Sequence, residues 1–226
     1  MIPIRDTVPS QHTPWVTRLL VLANVAVFVL ELSQGPQLES FLFRFGLVPA
    51  YWHPGSGGHG LGWPLLATTF ITCQFLHGSI LHLGGNMLYL WIFGDNVEDR
   101  LGPVRFLLLY LGSGLVAGLA QFVMAPTSSL PMIGASGAIA GVLGAYLRYF
   151  PSGKIVTLIP LIVYWEFIEV PAFLFLGIWF VMQWAQGMTT IGQVADVGGV
   201  AWWAHVGGFA TGFILSLTLR RRANSF

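Results

Sequence analysis

Six stretches of this sequence are apolar over lengths near those that cross a lipid bilayer: residues 15–32, 80–93, 106–124, 136–150, 170–185 and 201–219. A helix rises about 1.5 Å per residue and the hydrocarbon core is about 30 Å thick, so a span takes about 20 residues. Only 8% of the chain is charged, against roughly 25% in a soluble domain. So few charges cannot cover a water-exposed globule, and the bilayer must be the solvent for much of the chain. The expected fold class is an all-α membrane protein, a bundle of six transmembrane helices with a short central fourth helix, forming one membrane domain over residues 1–226.

Two further apolar runs, 61–75 and 155–165, compete for the status of spans. The distribution of basic residues decides between the counts. With six spans and the N-terminus in the cytoplasm, Arg5, Arg18, Arg100, Arg105, Arg148, Lys154, Arg220, Arg221 and Arg222 fall inside, nine of the ten Lys and Arg, and only Arg44 falls outside. Promoting either extra run would put the arginine tail outside. Run 155–165 is therefore expected to be interfacial or partly inserted, and run 61–75 to end a long outer loop over 33–79. Residues 1–14 form a cytoplasmic N-terminal segment and 220–226 a cytoplasmic basic tail. The first 15 residues lack the small-residue cleavage site of a secretory leader, so the first apolar run is expected to be a retained span.

A net charge of +1 offers no basic face to neutralise a row of phosphates, so no nucleic-acid partner is expected. Cys73, the single cysteine, leaves no disulfide or thiolate cluster within the chain. No period of 20 to 50 residues recurs, which counts against an internally duplicated transporter.

Polar residues inside spans are costly and mark function. Here they are His82 and Asn86 in the second span, Ser136 at the start of the fourth and His205 early in the sixth. These three spans all run from outside to inside, so the four residues share a depth near the outer leaflet. The fourth span, 15 residues or about 22 Å, is shorter than the hydrocarbon core. Anchored inside by Arg148, it places Ser136 at a recessed helix N-terminus, where free N–H groups favour a developing oxyanion. A nucleophilic serine needs a base, and His205 can supply one. His82 and Asn86, one helical turn apart, can both donate to an oxyanion. No Asp or Glu is placed to orient His205: Asp196 lies in a loop, and Glu98, Glu166 and Glu169 lie elsewhere. A Ser-His dyad is the available arrangement.

Plainer explanations stand beside this one. Gly137, Gly141 and Gly144, and likewise Gly208 and Gly212, form small-residue stripes of the kind that pack membrane helices. His82, Asn86 and His205 could serve as interhelical hydrogen-bonding glue. His77, His82 and His205 also permit a metal site, although no HExxH sequence occurs. A channel, transporter or other non-proteolytic protein could use the same polar cavity. The charged stretch 95–106 is either a clasp through Glu98 and Arg100 or a solvated turn.

The sequences GASG at 134–137, HGSILHLGGN at 77–86 and AHVGG at 204–208, with NVEDRLG at 96–102, resemble the rhomboid intramembrane serine proteases in a bacterial, six-helix form. The resemblance implies Ser136 as nucleophile and His205 as general base, with His82, Asn86 and the Ser136 backbone N–H forming the oxyanion hole. Gly134, Gly137, Gly208 and Gly212 would be structural residues near the site. It implies cleavage of single-span membrane proteins near the outer face, membrane lipid as surroundings, no metal and no cofactor. A bacterial inner membrane with both termini cytoplasmic is the implied setting. The fifth helix and the loop 186–199 would gate and cap the site. Two departures stand out. Some relatives stack a tyrosine on the catalytic histidine where this chain has Ala140, which leaves neighbours such as Trp202 or Trp203 to orient His205. Some also carry a Trp-Arg pair that the stretch 65–74 lacks, a departure that bears on the anchoring of the outer loop to the membrane.

Overall fold

The N-terminus of the first long helix, α1 (Trp15–Ser33), is capped from far along the chain. Pro14 offers no side-chain acceptor, and the N–H groups of Val16 and Thr17 donate instead to the Glu98 carboxylate at 2.9 and 2.7 Å. Thr17 Oγ1 adds a third bond at 2.8 Å. A carboxylate here meets orphan donors and the positive end of the helix dipole together. Glu98, only 4% exposed, belongs to α4 (Ile80–Leu101), so the start of α1 is locked to the end of α4. Asp99 extends the clasp by accepting from the backbone N–H groups of Gln11 and His12. The stretch 95–106 is a clasp rather than a solvated turn.

The computed structural model describes residues 2–53, 56, 60–160, 165–191 and 200–219. Gly102 alone joins α4 to α5 (Pro103–Met124), at a φ of +81° that favours glycine. Then come α6 (Ser136–Tyr149), α7 (Ala172–Thr190) and α8 (Trp202–Thr218). Every residue of α6 from Gly137 to Tyr146 is buried, which makes it the centre of the bundle. Its glycines are the reason it can sit there. A Cβ on Gly208 would strike the Gly137 carbonyl, one on Gly212 the Gly141 carbonyl, and one on Gly144 the Phe209 carbonyl. The small-residue stripes thus bring the α6 and α8 backbones into direct contact.

Among the described residues, α1, α5 and α7 are each long and apolar enough to cross a membrane. The helix α3 (Gly62–Thr72), extended by a tight turn at Cys73–Phe75, passes the same test together with α4 as a pair bent by 78°. At 14 and 17 residues, α6 and α8 are the short inner helices. The helical membrane bundle expected from the sequence is what the chain forms.

Three regions differ from expectation in detail. The outer loop 33–79 is largely helical, containing α2 (Leu38–Phe45) as well as α3. Leu47 exchanges backbone hydrogen bonds with Met132 at 3.1 and 2.8 Å, and Trp52 packs edge-on against Trp63, Phe70 and Phe122. These contacts tie the segment to the bundle. The described residues of run 155–165 contribute to a three-stranded antiparallel sheet of β1 (Ile2–Asp6), β2 (Lys154–Pro160) and β3 (Trp165–Pro171), with β2 central. The β-branched residues Ile155, Val156, Thr157 and Ile159 suit a pleated strand better than a helix. Because β3 runs to Pro171, α7 begins at Ala172 rather than at 170. The Tyr146 hydroxyl donates to Asp6 at 2.6 Å, and the Asn96 amide donates to the Val8 carbonyl at 2.8 Å, pinning the N-terminal segment to the bundle. Burial raises the Asp6 carboxyl above its ordinary value, partly offset by that hydrogen bond. Most of the expected cap (192–199, with Asp196), most of the glycine-rich stretch near 54–59 and the basic tail 220–226 lie outside the described residues.

Candidate active site

Ser136 is the first residue of α6, and the chain reaches it through Gly134, whose φ of +123° strains any larger residue. The Gly134 N–H donates to the Cys73 carbonyl at 2.8 Å, which fixes this approach to the end of α3. A Cβ on Gly134 would lie 2.7 Å from His82 Nε2 and 3.6 Å from Asn86 Nδ2. Glycine is what lets both side chains of α4 come against the backbone just before Ser136.

His205 stands in the first turn of α8, one turn before Gly208. Its Nε2 lies 2.8 Å from Ser136 Oγ, joining residues 69 apart in sequence. The other ring nitrogen, Nδ1, lies 2.6 Å from Gln183 Oε1 on α7. Trp179, one turn before Gln183, lies over the ring with centroids 5.9 Å apart and planes 34° apart. Trp202 meets it edge-on at 6.2 Å, whereas Trp203 lies against Gly187. One face of the His205 ring is thus covered from α7.

Asn86 is held by a second histidine. Its Nδ2 donates to His77 Nε2 at 2.9 Å, leaving one amide hydrogen for another acceptor. The His77 backbone N–H donates in turn to both oxygens of Glu31, at 3.1 and 3.2 Å. Glu31 lies on α1 and is 1% exposed. His77 and His82 rings are 5.0 Å apart and edge to face. The three histidines are not gathered as a ligand set, because His77 is turned to Asn86 and His205 to Ser136. Among the described residues, no group of three or more His, Cys, Asp or Glu is arranged to hold a metal ion.

A cavity of about 620 Å³ opens over these groups, lined among others by His82, Asn86, Ser136, Trp179 and His205. The four polar residues singled out in the sequence are brought together; Gly134 stands against His82 and Asn86, while Gly208 and Gly212 stand at close approaches to the Gly137 and Gly141 carbonyls in the α6–α8 contact below them. Gln183, Trp179 and Glu31 were not singled out, and His77 only as one possible metal ligand. A glutamine in the apolar run of α7, and a glutamate near the end of α1, were the available signals.

A family model described as the Rhomboid domain matches residues 66–222. RHOMBOID-like protein 4 of Arabidopsis thaliana is 32% identical over an alignment covering 91% of this chain and 52% of its own length. Rhomboid protease GluP of Bacillus subtilis is 38% identical over 59% of this chain and 24% of its own. Human presenilin-associated rhomboid-like protein, mitochondrial, is 31% identical over 60% of this chain and 33% of its own. The chain spans about half or less of the length of these relatives.

Proposed function

Because the chain belongs to the rhomboid family, we propose that it is an intramembrane serine endopeptidase, cleaving transmembrane segments of single-span membrane proteins near the outer face. The observation that carries this reading is the 2.8 Å pairing of Ser136 Oγ with His205 Nε2 beside a cavity.

In this mechanism the Ser136 hydroxyl donates to His205 Nε2. As Oγ adds to the scissile carbonyl carbon, its proton passes to Nε2 and an imidazolium forms. The carbonyl oxygen becomes an oxyanion. The Ser136 N–H, which as the first helical residue has no intrahelical acceptor, faces it together with Asn86 Nδ2 and the His82 ring. Collapse of the tetrahedral intermediate breaks the peptide bond, and the imidazolium returns its proton to the leaving amine. Water then attacks the acyl-serine ester with His205 again as base, releasing the second product and restoring Ser136. These side chains complete the chemistry without a cofactor.

Burying hydrolysis in a bilayer follows from the substrate, whose scissile bond is itself in the membrane. A segment that enters from the lipid must unwind locally to expose a carbonyl to Ser136, while water enters from the outer side. The asymmetry of Lys and Arg supports a topology with both termini on the cytoplasmic side. Covalent labelling by a fluorophosphonate tests the reading. An activated Ser136 reacts and Ser136→Ala does not; a serine that only packs helices leaves wild type as unlabelled as the variant.

A further inference from the structure

The dyad has a third member that is not a carboxylate. Gln183 Oε1 can only accept a hydrogen bond, and it stands 2.6 Å from His205 Nδ1. Nδ1 must then carry the imidazole proton. In a neutral ring this leaves Nε2 bare, and Nε2 is the atom facing Ser136 Oγ at 2.8 Å. The opposite tautomer would set a lone pair against the amide oxygen, losing that bond, and would reverse the other so that Nε2–H donates to Ser136 Oγ, leaving no base for the serine proton. Gln183 is 8% exposed, so water is poorly placed to substitute. Trp179, four residues earlier on the same face of α7, holds the ring plane while Gln183 fixes its proton.

We propose that Gln183 is a positioning residue that selects the Nδ1–H tautomer of His205 and so keeps Nε2 available as the base for Ser136. It does from α7 what an aspartate does in a triad, but without a charge: it orients the ring yet adds no full counter-charge to the imidazolium. This rests on the serine-protease reading above for its catalytic consequence, but the tautomer itself does not. Of the other groups around the ring, Ser136 and Trp202 carry no charge, and His82 on α4 is the ionisable residue that acts on it electrostatically. Among the described residues, a carboxylate at position 183 would therefore be the first anion beside it.

The experiment uses the full chain in detergent micelles, with two readouts on wild type, Gln183→Met and Gln183→Glu. The first is the nitrogen NMR spectrum of protein labelled at histidine with nitrogen-15, the His205 signals being those lost in His205→Ala. The second is the rate of fluorophosphonate labelling of Ser136 across pH. Wild type is expected to show a protonated Nδ1 and a bare Nε2, and Gln183→Met a mixture of tautomers with labelling slowed about tenfold or more, the loss of one buried hydrogen bond. Gln183→Glu keeps the acceptor and retains labelling, while its charge favours the imidazolium and moves the acid limb of the profile to higher pH. The inference is overturned if Gln183→Met keeps the wild-type tautomer. It is equally overturned if that variant labels at the wild-type rate at every pH. Should wild type not label at all, the protease reading fails, and the tautomer in Gln183→Met still decides the role of Gln183.

Discussion

His205 Nε2 lies 2.8 Å from Ser136 Oγ across a helix interface that has no room for a methyl group one turn below, where Gly208 abuts the Gly137 carbonyl. The reactive distance and the glycine contacts are the same structural fact seen at two levels. Packing of α6 on α8 sets where two side chains from distant parts of the chain can meet.

Enlarging those glycines should therefore uncouple the pair. Gly208→Ala and Gly212→Ala each drive a Cβ into a backbone carbonyl that no rotamer change can clear. Overpacking of this kind costs about 1–3 kcal/mol, and activity should fall with stability because α8 must move away from Ser136. Gly177→Ala, with nothing within 4 Å of its Cβ, is the control and should be neutral or stabilising by up to about 1 kcal/mol. Thermal unfolding in detergent, measured alongside proteolysis, separates the two classes.

The cap on α1 makes a purely structural prediction. Glu98→Ala removes three hydrogen bonds to Val16 and Thr17 and should destabilise by about 2 kcal/mol. The turnover of the folded fraction should stay at the wild-type value, because this clasp lies away from the cavity. A variant with full thermal stability would show that the cap contributes nothing.

Asn86→Ala should lower kcat by about 100-fold with little change in KM, as expected for a donor that meets charge only in the transition state. His77→Ala should lower it less, since Asn86 remains but loses the acceptor that holds its amide at 2.9 Å. If His77→Ala proves as damaging as Asn86→Ala while remaining folded, His77 has a more direct part in the reaction.

Acidity enters twice, with different signs. Activity should fall as pH drops through the titration of His205, because only the neutral ring accepts the serine proton; a rate unchanged from about pH 8 to about pH 4 contradicts a histidine base. Stability responds to Asp6 in the opposite sense. Its folded carboxyl titrates above the ordinary value of 3.8 because burial penalises the anion, so its stabilising contribution is complete below that value. It is lost as pH rises through the raised one. Asp6→Asn, which keeps an acceptor for the Tyr146 hydroxyl, should flatten this decline in melting temperature.

The sequence was most legible where a residue violated its surroundings. His82, Asn86 and His205 were costly in apolar spans, and counting span directions led to the expectation that they meet Ser136, with which they line one cavity. The glycine stripes were read as packing, and each close approach at Gly137, Gly208 and Gly212 bears this out. What stayed hidden depended on partners remote in sequence. Strand β2 is apolar like a span and takes its identity from pairing with Ile2–Asp6, more than 140 residues earlier. Gln183, a polar residue in an apolar run, does not reveal its partner until α7 is turned toward His205. The same holds for Glu31, a charge that looks like the polar end of a span until the His77 backbone comes to meet it.

The most direct test of the account is cleavage of a single-span reporter by purified protein in liposomes, comparing wild type with Ser136→Ala and His205→Ala after each is shown to be folded. The account requires that wild type cuts within or beside the membrane segment and that both folded variants are silent. Equal cutting by all three would place the chemistry elsewhere and contradict the assignment of Ser136 and His205.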